Sequence, residues 1–257
     1  MKTSPILLVA LIALPLAPSV AFAEDASPLS FNVSLTSDYR YRGISQSRLK
    51  PALQGGADYA FASGFYVGTW ASTIKWIKDT PNGGNTAVEI DLYGGYKGEI
   101  AKDFGYDVGV LQYYYPGNKL KDIGAKNANT TEIYGALTYG PATLKYSHSL
   151  TPLFGFGNAT DDSQGSGYLD LSANFDVGAG VTLTPHVGHQ RVAGSGFSDF
   201  SYTDYSLTAA KDWAGFTWSG AIVGTDVKKN NGVAVYASPD GKNLGKTALV
   251  VAVKKVF

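Results

Sequence analysis

The sequence has no cysteine, and its only methionine is the initiator. Without thiols the chain cannot form disulfides, cysteine zinc sites or a thiolate nucleophile. Charge is also sparse: charged residues make up 16% of the chain, against about 25% in an average protein. The 21 basic and 21 acidic side chains balance, which argues against a nucleic-acid-binding protein, because such proteins carry a strongly basic face.

Long apolar runs are absent except at the N-terminus. Lys2 is followed by the stretch ILLVALIALPLA and then by Ala21-Phe22-Ala23. A basic start, a short apolar core and an A-x-A end predict a signal peptide over residues 1–23, cleaved after Ala23. Residues 24–257 then form a single exported domain. No later apolar run approaches the ~20 residues of a transmembrane helix, so a helical membrane anchor is excluded from this part.

The exported part is instead rich in glycine and tyrosine, with 31 and 17 residues in the whole chain. Apolar and polar side chains alternate in long stretches, most clearly from Phe31 to Arg42. Alternate residues of a strand point to opposite faces of a sheet, so this pattern predicts strands with one apolar and one polar face. The fold class is all-β.

The connections between the predicted strands alternate between short turns and long polar loops. This rhythm is typical of a transmembrane antiparallel up-and-down β-barrel, with periplasmic turns and external loops. We predict twelve strands, with ten or fourteen as alternatives. They span residues 30–42, 51–61, 65–75, 87–98, 104–115, 131–139, 142–149, 167–177, 181–191, 202–212, 216–227 and 247–257.

Aromatic residues mark the expected membrane boundaries. The predicted belt near the turns contains Phe61, Tyr96, Phe104, Tyr139, Phe175, Trp213, Phe216 and Phe257. The predicted belt near the loops contains Tyr39, Tyr41, Trp76, Tyr113, Tyr114 and Tyr115. The chain ends on Phe257 after an amphipathic strand, which is similar to the signal read by the outer-membrane assembly machinery. We therefore expect that machinery and outer-membrane lipid as partners, and the cell outer membrane as the location.

Residues 37–72, SDYRYRGISQSRLKPALQGGADYAFASGFYVGTWAS, resemble the TorF family of porin-like outer-membrane proteins of Proteobacteria. The family motif is carried here by Arg42, Gly43, Ile44, Ser45, Gln46, Pro51, Ala52, Gln54, Gly55 and Gly56. A third block matches at Gly64, Phe65, Tyr66, Gly68 and Trp70. The resemblance implies an outer-membrane channel and leaves its solute open.

If the apolar face meets lipid, the polar face lines the lumen, because charges at membrane depth must face water or a partner. The predicted pore-lining residues are Asp38, Arg40, Arg42, Asp58, Glu89, Asp91, Lys97, Asp107, Glu132, Lys145, Asp170 and Asp204. Arg40 and Arg42 are candidates for contact with an anionic solute. The alternative is that they pair with acids and fill the lumen. Charge alone leaves the ion preference open.

The resulting prediction is a passive diffusion channel for small polar or charged solutes, with no cofactor and no metal. The first alternative is a structural or adhesive barrel whose lumen is plugged by ion pairs, and Tyr93, Tyr134 and Tyr168 on the inward parity would help to block it. The second is a soluble periplasmic β-protein. Catalysis is disfavoured, because His148 has the opposite parity to its neighbours Ser147 and Ser149; we expect no enzyme.

Overall fold

The computed structural model describes residues 27–257, so the predicted signal peptide lies outside the described residues. Strands dominate this part of the chain, and the helices are limited to Trp76–Asp79 and the 3₁₀ turns Leu120–Ile123, Leu153–Gly155 and Ser198–Phe200. None of the helices in residues 27–257 is long and apolar enough to cross a membrane.

Twelve antiparallel strands, β1 to β12 in chain order, form a closed barrel, which confirms the predicted fold and strand number. Each strand pairs with its neighbour in the sequence, and β1 pairs with β12 to close the cylinder. The strands span Leu29–Thr36, Ala52–Ala60, Phe65–Thr73, Val88–Ala101, Phe104–Tyr114, Thr130–Tyr139, Ala142–Ser149, Gly167–Ala173, Val181–Arg191, Tyr202–Trp213, Phe216–Thr225 and Ala248–Val256. After a break at Asn174, β8 continues as Phe175–Asp176.

The outer surface of the barrel is apolar. Side chains such as Phe31 and Leu249 are 50% and 69% exposed there, while the next residues along the strand, Asn32 and Val250, point inward and are less exposed. Each inward position is followed by an outward one because side chains alternate along a strand. Such a continuous apolar belt is costly in water and suits a hydrocarbon environment.

The predicted first strand is too long. Strand β1 ends at Thr36, and the chain then turns into the barrel instead of continuing to Arg42. Residues 37–51, here called the inserted segment, form a small hairpin in which Arg40–Tyr41 pairs with Ile44–Ser45. The alternating pattern runs past Thr36 because this hairpin is itself extended.

Six of the eight aromatic residues predicted for the turn-end belt are exposed, and Tyr96 and Phe104 are half-buried, whereas the loop-end belt is mostly wrong. Tyr139, Trp213 and Phe257 are strongly exposed at the turn end. At the loop end only Tyr114 is exposed, whereas Tyr39, Tyr41, Tyr113 and Tyr115 are buried and Trp76 is half-buried. The four buried tyrosines belong to one interior cluster, in which apolar residues of the long loops, among them Ile77, Leu120 and Phe154, pack against them.

Candidate functional site

The tip of the inserted segment is a tight turn at Arg42 and Gly43. Both have positive φ, 46° and 78°, as a two-residue turn of the I′ type requires. A Cβ atom on Gly43 would lie 2.5 Å from Cγ2 of Thr225 and 2.8 Å from Cβ of Asp204. Glycine is therefore needed twice, for the backbone conformation and for close approach to strands β10 and β11.

Arg42 crosses from this turn to the other walls of the barrel. Its Nη2 lies 2.8 Å from Oε2 of Glu132 on β6, and its Nη1 donates to Oε1 of Gln190 on β9 over 2.6 Å. The guanidinium also lies 4.2 Å from the centroid of the Tyr168 ring. One arginine thus ties the inserted segment to strands β6, β8 and β9.

Arg40 holds the base of the same hairpin. Its Nε lies 2.5 Å from Oδ2 of Asp38, whose other oxygen accepts hydrogen bonds from Ser45 and Ser47. Nη1 of Arg40 donates to the carbonyl oxygens of Leu244 and Lys246 at 2.9 and 3.1 Å. These two residues lie in the loop between β11 and β12, so Arg40 connects the first loop of the barrel to the last.

Tyrosine hydroxyl groups attach the segment to β4 and β5. Tyr39 donates to Oε1 of Glu89 over 2.7 Å, and Tyr115 donates to Oε2 of the same carboxylate over 2.9 Å. Burial raises the pKa of Tyr39 well above its ordinary value, and the neighbouring Glu89 raises it further. The hydroxyl group therefore stays protonated and remains a donor. A second contact joins the hydroxyl groups of Tyr41 and Tyr113 at 2.8 Å.

These contacts close the loop half of the barrel. Arg40 and Arg42 are only 1% and 2% exposed. By contrast, the inward residues Asp58, Lys97, Asp107 and Lys254 near the turns are half-buried. The interior therefore has two parts: a packed half around the inserted segment, and a polar vestibule that faces the turn end.

The predicted pore-lining residues divide between these two parts. Asp58, Lys97 and Asp107 lie in the vestibule. Buried at the level of the inserted segment are Asp38, Arg40, Arg42, Glu89, Asp91, Glu132, Lys145, Asp170 and Asp204. Arg40 and Arg42 reach the interior from the inserted hairpin and not from strand β1 as predicted. Both arginines are paired with acids there.

Several residues of this site were missed by the sequence analysis. Gln190 contacts Arg42, and Nε2 of His186 lies 2.5 Å from Oδ2 of Asp170. Tyr168 was predicted to face inward, but its contact with Arg42 was not. Lys254 occupies an inward-facing position of β12, is half-buried, and faces the vestibule. The sequence signal that could have identified these residues is their position on the inward-facing side of the alternating strand pattern. Among residues 27–257 no three His, Asp or Glu side chains are close enough together to hold a metal ion.

The inward tyrosines lie along the wall of the barrel. Each of them covers a glycine of a neighbouring strand: Tyr93 covers Gly68, Tyr134 covers Gly109, and Tyr168 covers Gly188. A Cβ atom added to these three glycines would lie 2.4, 2.5 and 2.0 Å, respectively, from the ring or hydroxyl group above it. A glycine without a side chain leaves space for an aromatic ring from the adjacent strand. The inserted segment, and not these rings alone, is therefore what occupies the middle of the lumen.

Comparison with known proteins gives one sequence family and several solved folds. A family model described as "Bacterial protein of unknown function (Gcw_chp)" matches residues 21–257. The chain is similar in structure to the KdgM porin, with a TM-score of 0.52, 8% identity, and coverage of 89% of this chain and 98% of that one. For the NanC porin the TM-score is 0.50, the identity 10%, and the coverage 89% and 98%. At this identity the likeness establishes a shared fold. Comparison with curated proteins finds no match.

Proposed function

Because the family model matches residues 21–257, almost the whole chain, the protein belongs to the Gcw_chp family of bacterial proteins of unknown function, and we propose that it is a porin-like outer-membrane channel for small polar or charged solutes. The observation that carries this proposal is the combination of an apolar outer belt with a charged, partly open lumen. An apolar exterior suits a bilayer, and fixed charges inside the barrel need water or ion partners. Passage through such a pore is passive diffusion and involves no catalysis.

The orientation follows from the connections. Short turns are proposed to face the periplasm and long loops the outside, as in other outer-membrane barrels. The vestibule then opens to the periplasm, and the inserted segment lies on the external side. Cleavage of residues 1–23 and export to the outer membrane belong to the same proposal.

The resemblance to TorF-type porins is also part of this proposal, and the residues of the family motif have a defined position in the fold. The motif residues Arg42, Gly43, Ile44 and Ser45 form the inserted hairpin, and Gln46 follows it. In this proposal the motif is the constriction of the channel, because it is the part of the chain that occupies the lumen. Solutes pass when the hairpin moves or when its packing loosens.

A second function, a plugged structural or adhesive barrel, is favoured by one specific observation. Arg40 and Arg42 are buried and paired with Asp38 and Glu132, and the breaking of a buried ion pair is costly. If the hairpin never leaves, the long loops become the functional surface. The two functions differ only in whether ions cross the closed half.

Conductance of residues 24–257 refolded into a planar bilayer distinguishes them. Wild type is compared with Arg42→Gln, which cannot form the buried ion pair, and with Arg48→Gln as a matched control. Arg48 lies in the same segment but pairs with Asp79 at a partly exposed position. A channel gives discrete steps in wild type and in the control, and larger or longer openings in Arg42→Gln. Silence of all three proteins, with folding shown by heat-modifiable migration, would refute the channel and favour the plugged barrel.

A further inference from the structure

Charges in the interior are not balanced locally. Arg40 and Arg42 are each paired with one acid, whereas other acids are satisfied by neutral hydroxyl groups. Tyr93 donates to Asp58 over 2.5 Å, and Tyr66 donates to Asp107 over 2.6 Å. A hydroxyl group satisfies the hydrogen bond but does not neutralise the carboxylate. Lys97 lies within electrostatic range of both these carboxylates. At the level of the inserted segment, three bases are buried with six acids, so this part of the interior keeps an excess of negative charge: the bases are Arg40, Arg42 and Lys145, and the acids are Asp38, Glu89, Asp91, Glu132, Asp170 and Asp204.

Asp91, in the middle of β4, is the extreme case. Its side chain is fully buried, with 0% exposure, and both carboxylate oxygens lack a hydrogen-bond partner among residues 27–257. It also lies within electrostatic range of two further acids, Glu89 and Glu132. An ionised carboxylate buried without a counter-charge is strongly unfavourable. Either a proton, which neutralises the carboxylate, or a positive ion beside it relieves this cost.

The bases at this level of the lumen are directed elsewhere. Arg42 is bound to Glu132 and Gln190, and Nζ of Lys145 lies 4.0 Å from the centroid of the Tyr134 ring. The residues opposite Asp91 on the adjacent strands are aromatic, Trp70 on β3 and Tyr113 on β5. The faces of aromatic rings attract cations. The residues opposite Asp91 thus supply no fixed positive charge, and their aromatic rings are compatible with a positive ion beside the carboxylate.

The size of the acidic group limits which ion fits. Since no three carboxylate or imidazole groups in the described chain come close enough to hold a metal ion, a divalent ion that needs several anionic ligands is disfavoured. We propose that Asp91 binds a small monovalent cation, Na⁺ or K⁺, below the inserted segment and makes the channel cation-selective. The selectivity part rests on the proposed channel function; the binding part does not.

The vestibule provides a route to this site. Asp58 and Asp107 are half-buried on the turn side of Asp91, so their carboxylates face incoming ions first. Tyr93 is two residues from Asp91 on the same strand, on the vestibule side. Negative groups that line a narrow entrance raise the local concentration of cations. The vestibule acids therefore draw cations toward Asp91 from the turn end, and because Asp91 is itself fully buried, the side chains around it must move for a cation to bind.

Thermal stability tests the binding site without any need for conduction. The melting temperature of refolded residues 24–257 is measured in KCl, NaCl and choline chloride at equal ionic strength. A ligand that binds the folded state raises the melting temperature, so wild type melts higher in KCl or NaCl than in choline chloride. Asp91→Asn removes this difference. Asp170→Asn, which removes a buried interior carboxylate that is paired with His186, keeps it. Equal melting temperatures for wild type in the three salts, or the same loss in both variants, would overturn the site.

The reversal potential in a KCl gradient tests the selectivity. The reversal potential of wild type is expected to lie toward the equilibrium potential of K⁺. In Asp91→Asn the reversal potential is expected to shift toward the equilibrium potential of chloride. An anion-selective wild type, or a variant with the potential of wild type, would overturn the selectivity. Bilayers without channels would instead refute the proposed function, and the melting comparison would still decide whether Asp91 binds a cation.

Discussion

Arg42 and Glu132 form a salt bridge of 2.8 Å that is closed off from solvent, with side-chain exposures of 0% and 3%. It joins a residue at the tip of the first loop to the wall of the sixth strand. Because both groups are desolvated, the loss of one leaves the other charged and buried. We therefore expect this pair to contribute both to the stability of the barrel and to the position of the inserted segment.

Arg42→Ala is expected to lower the free energy of unfolding by about 3–5 kcal/mol, the usual cost of leaving a buried charge unpaired. Urea titration of the barrel in lipid vesicles measures the change. The double variant Arg42→Ala/Glu132→Ala recovers part of the loss, because neither charge is then left alone. Arg48→Ala is the control: its pair with Asp79 is partly exposed and is expected to contribute about 0–1 kcal/mol. Equal losses at Arg42 and Arg48 would contradict this account.

Gly43→Ala tests whether the hairpin tip is pressed against the barrel wall. The new Cβ would meet Thr225 and Asp204, so the hairpin must shift and the conductance of the channel should rise. Gly117→Ala separates this clash from backbone strain. Gly117 has a similar φ of 74°, but its Cβ would have no atom within 4 Å. That variant should lose only about 1–2 kcal/mol, the cost of a left-handed conformation, and keep the wild-type conductance.

Gly188→Ala is expected to displace the Tyr168 ring from the wall. The added methyl group would lie 2.0 Å from the hydroxyl oxygen of Tyr168, and this ring also lies under Arg42. Overpacking of this kind costs about 1–3 kcal/mol. Gly220→Ala on β11, where nothing lies within 4 Å of the new Cβ, should leave the unfolding midpoint close to wild type. A similar midpoint shift in both variants would show that strand glycine itself, and not the ring, is responsible.

Phe257→Ala tests the predicted assembly signal. The backbone of Phe257 pairs with Phe31, with its N–H donating over 2.9 Å, and its ring is 70% exposed. Loss of an exposed ring should change in-vitro refolding little, while the amount of barrel inserted in cells falls. Tyr139→Ala is a matched control, since Tyr139 is also 70% exposed at the turn end. Equal insertion of both variants in cells would contradict the signal.

The number of strands and their inward faces could be predicted because lipid and lumen impose opposite chemistry on alternate residues. Glu89, Asp91 and Glu132 were identified as interior residues in this way. The end of β1 could not be predicted, since the alternation of apolar and polar residues continues past Thr36 into the hairpin, which lies inside the barrel. Tyr39 and Tyr41 therefore look like belt residues in sequence although they are buried.

The partners across the lumen were also beyond the sequence. Arg42 meets Glu132 and Gln190, which are 90 and 148 residues away. The alternation along a strand shows that a side chain points inward, but it does not show which of the eleven other strands that side chain reaches. Only the curvature of the closed sheet and the path of the inserted segment determine that choice.

The bonds between Arg40 and the last loop have a consequence for biogenesis. Arg40 and Ser45 bind the carbonyl oxygen of Leu244, and Arg40 also binds that of Lys246. Translation produces the hairpin early, yet these acceptors arrive only shortly before the final strand. These bonds can thus form only once the C-terminal end of the chain has been delivered, so the attachment of the first loop to the last is among the final contacts that complete the barrel.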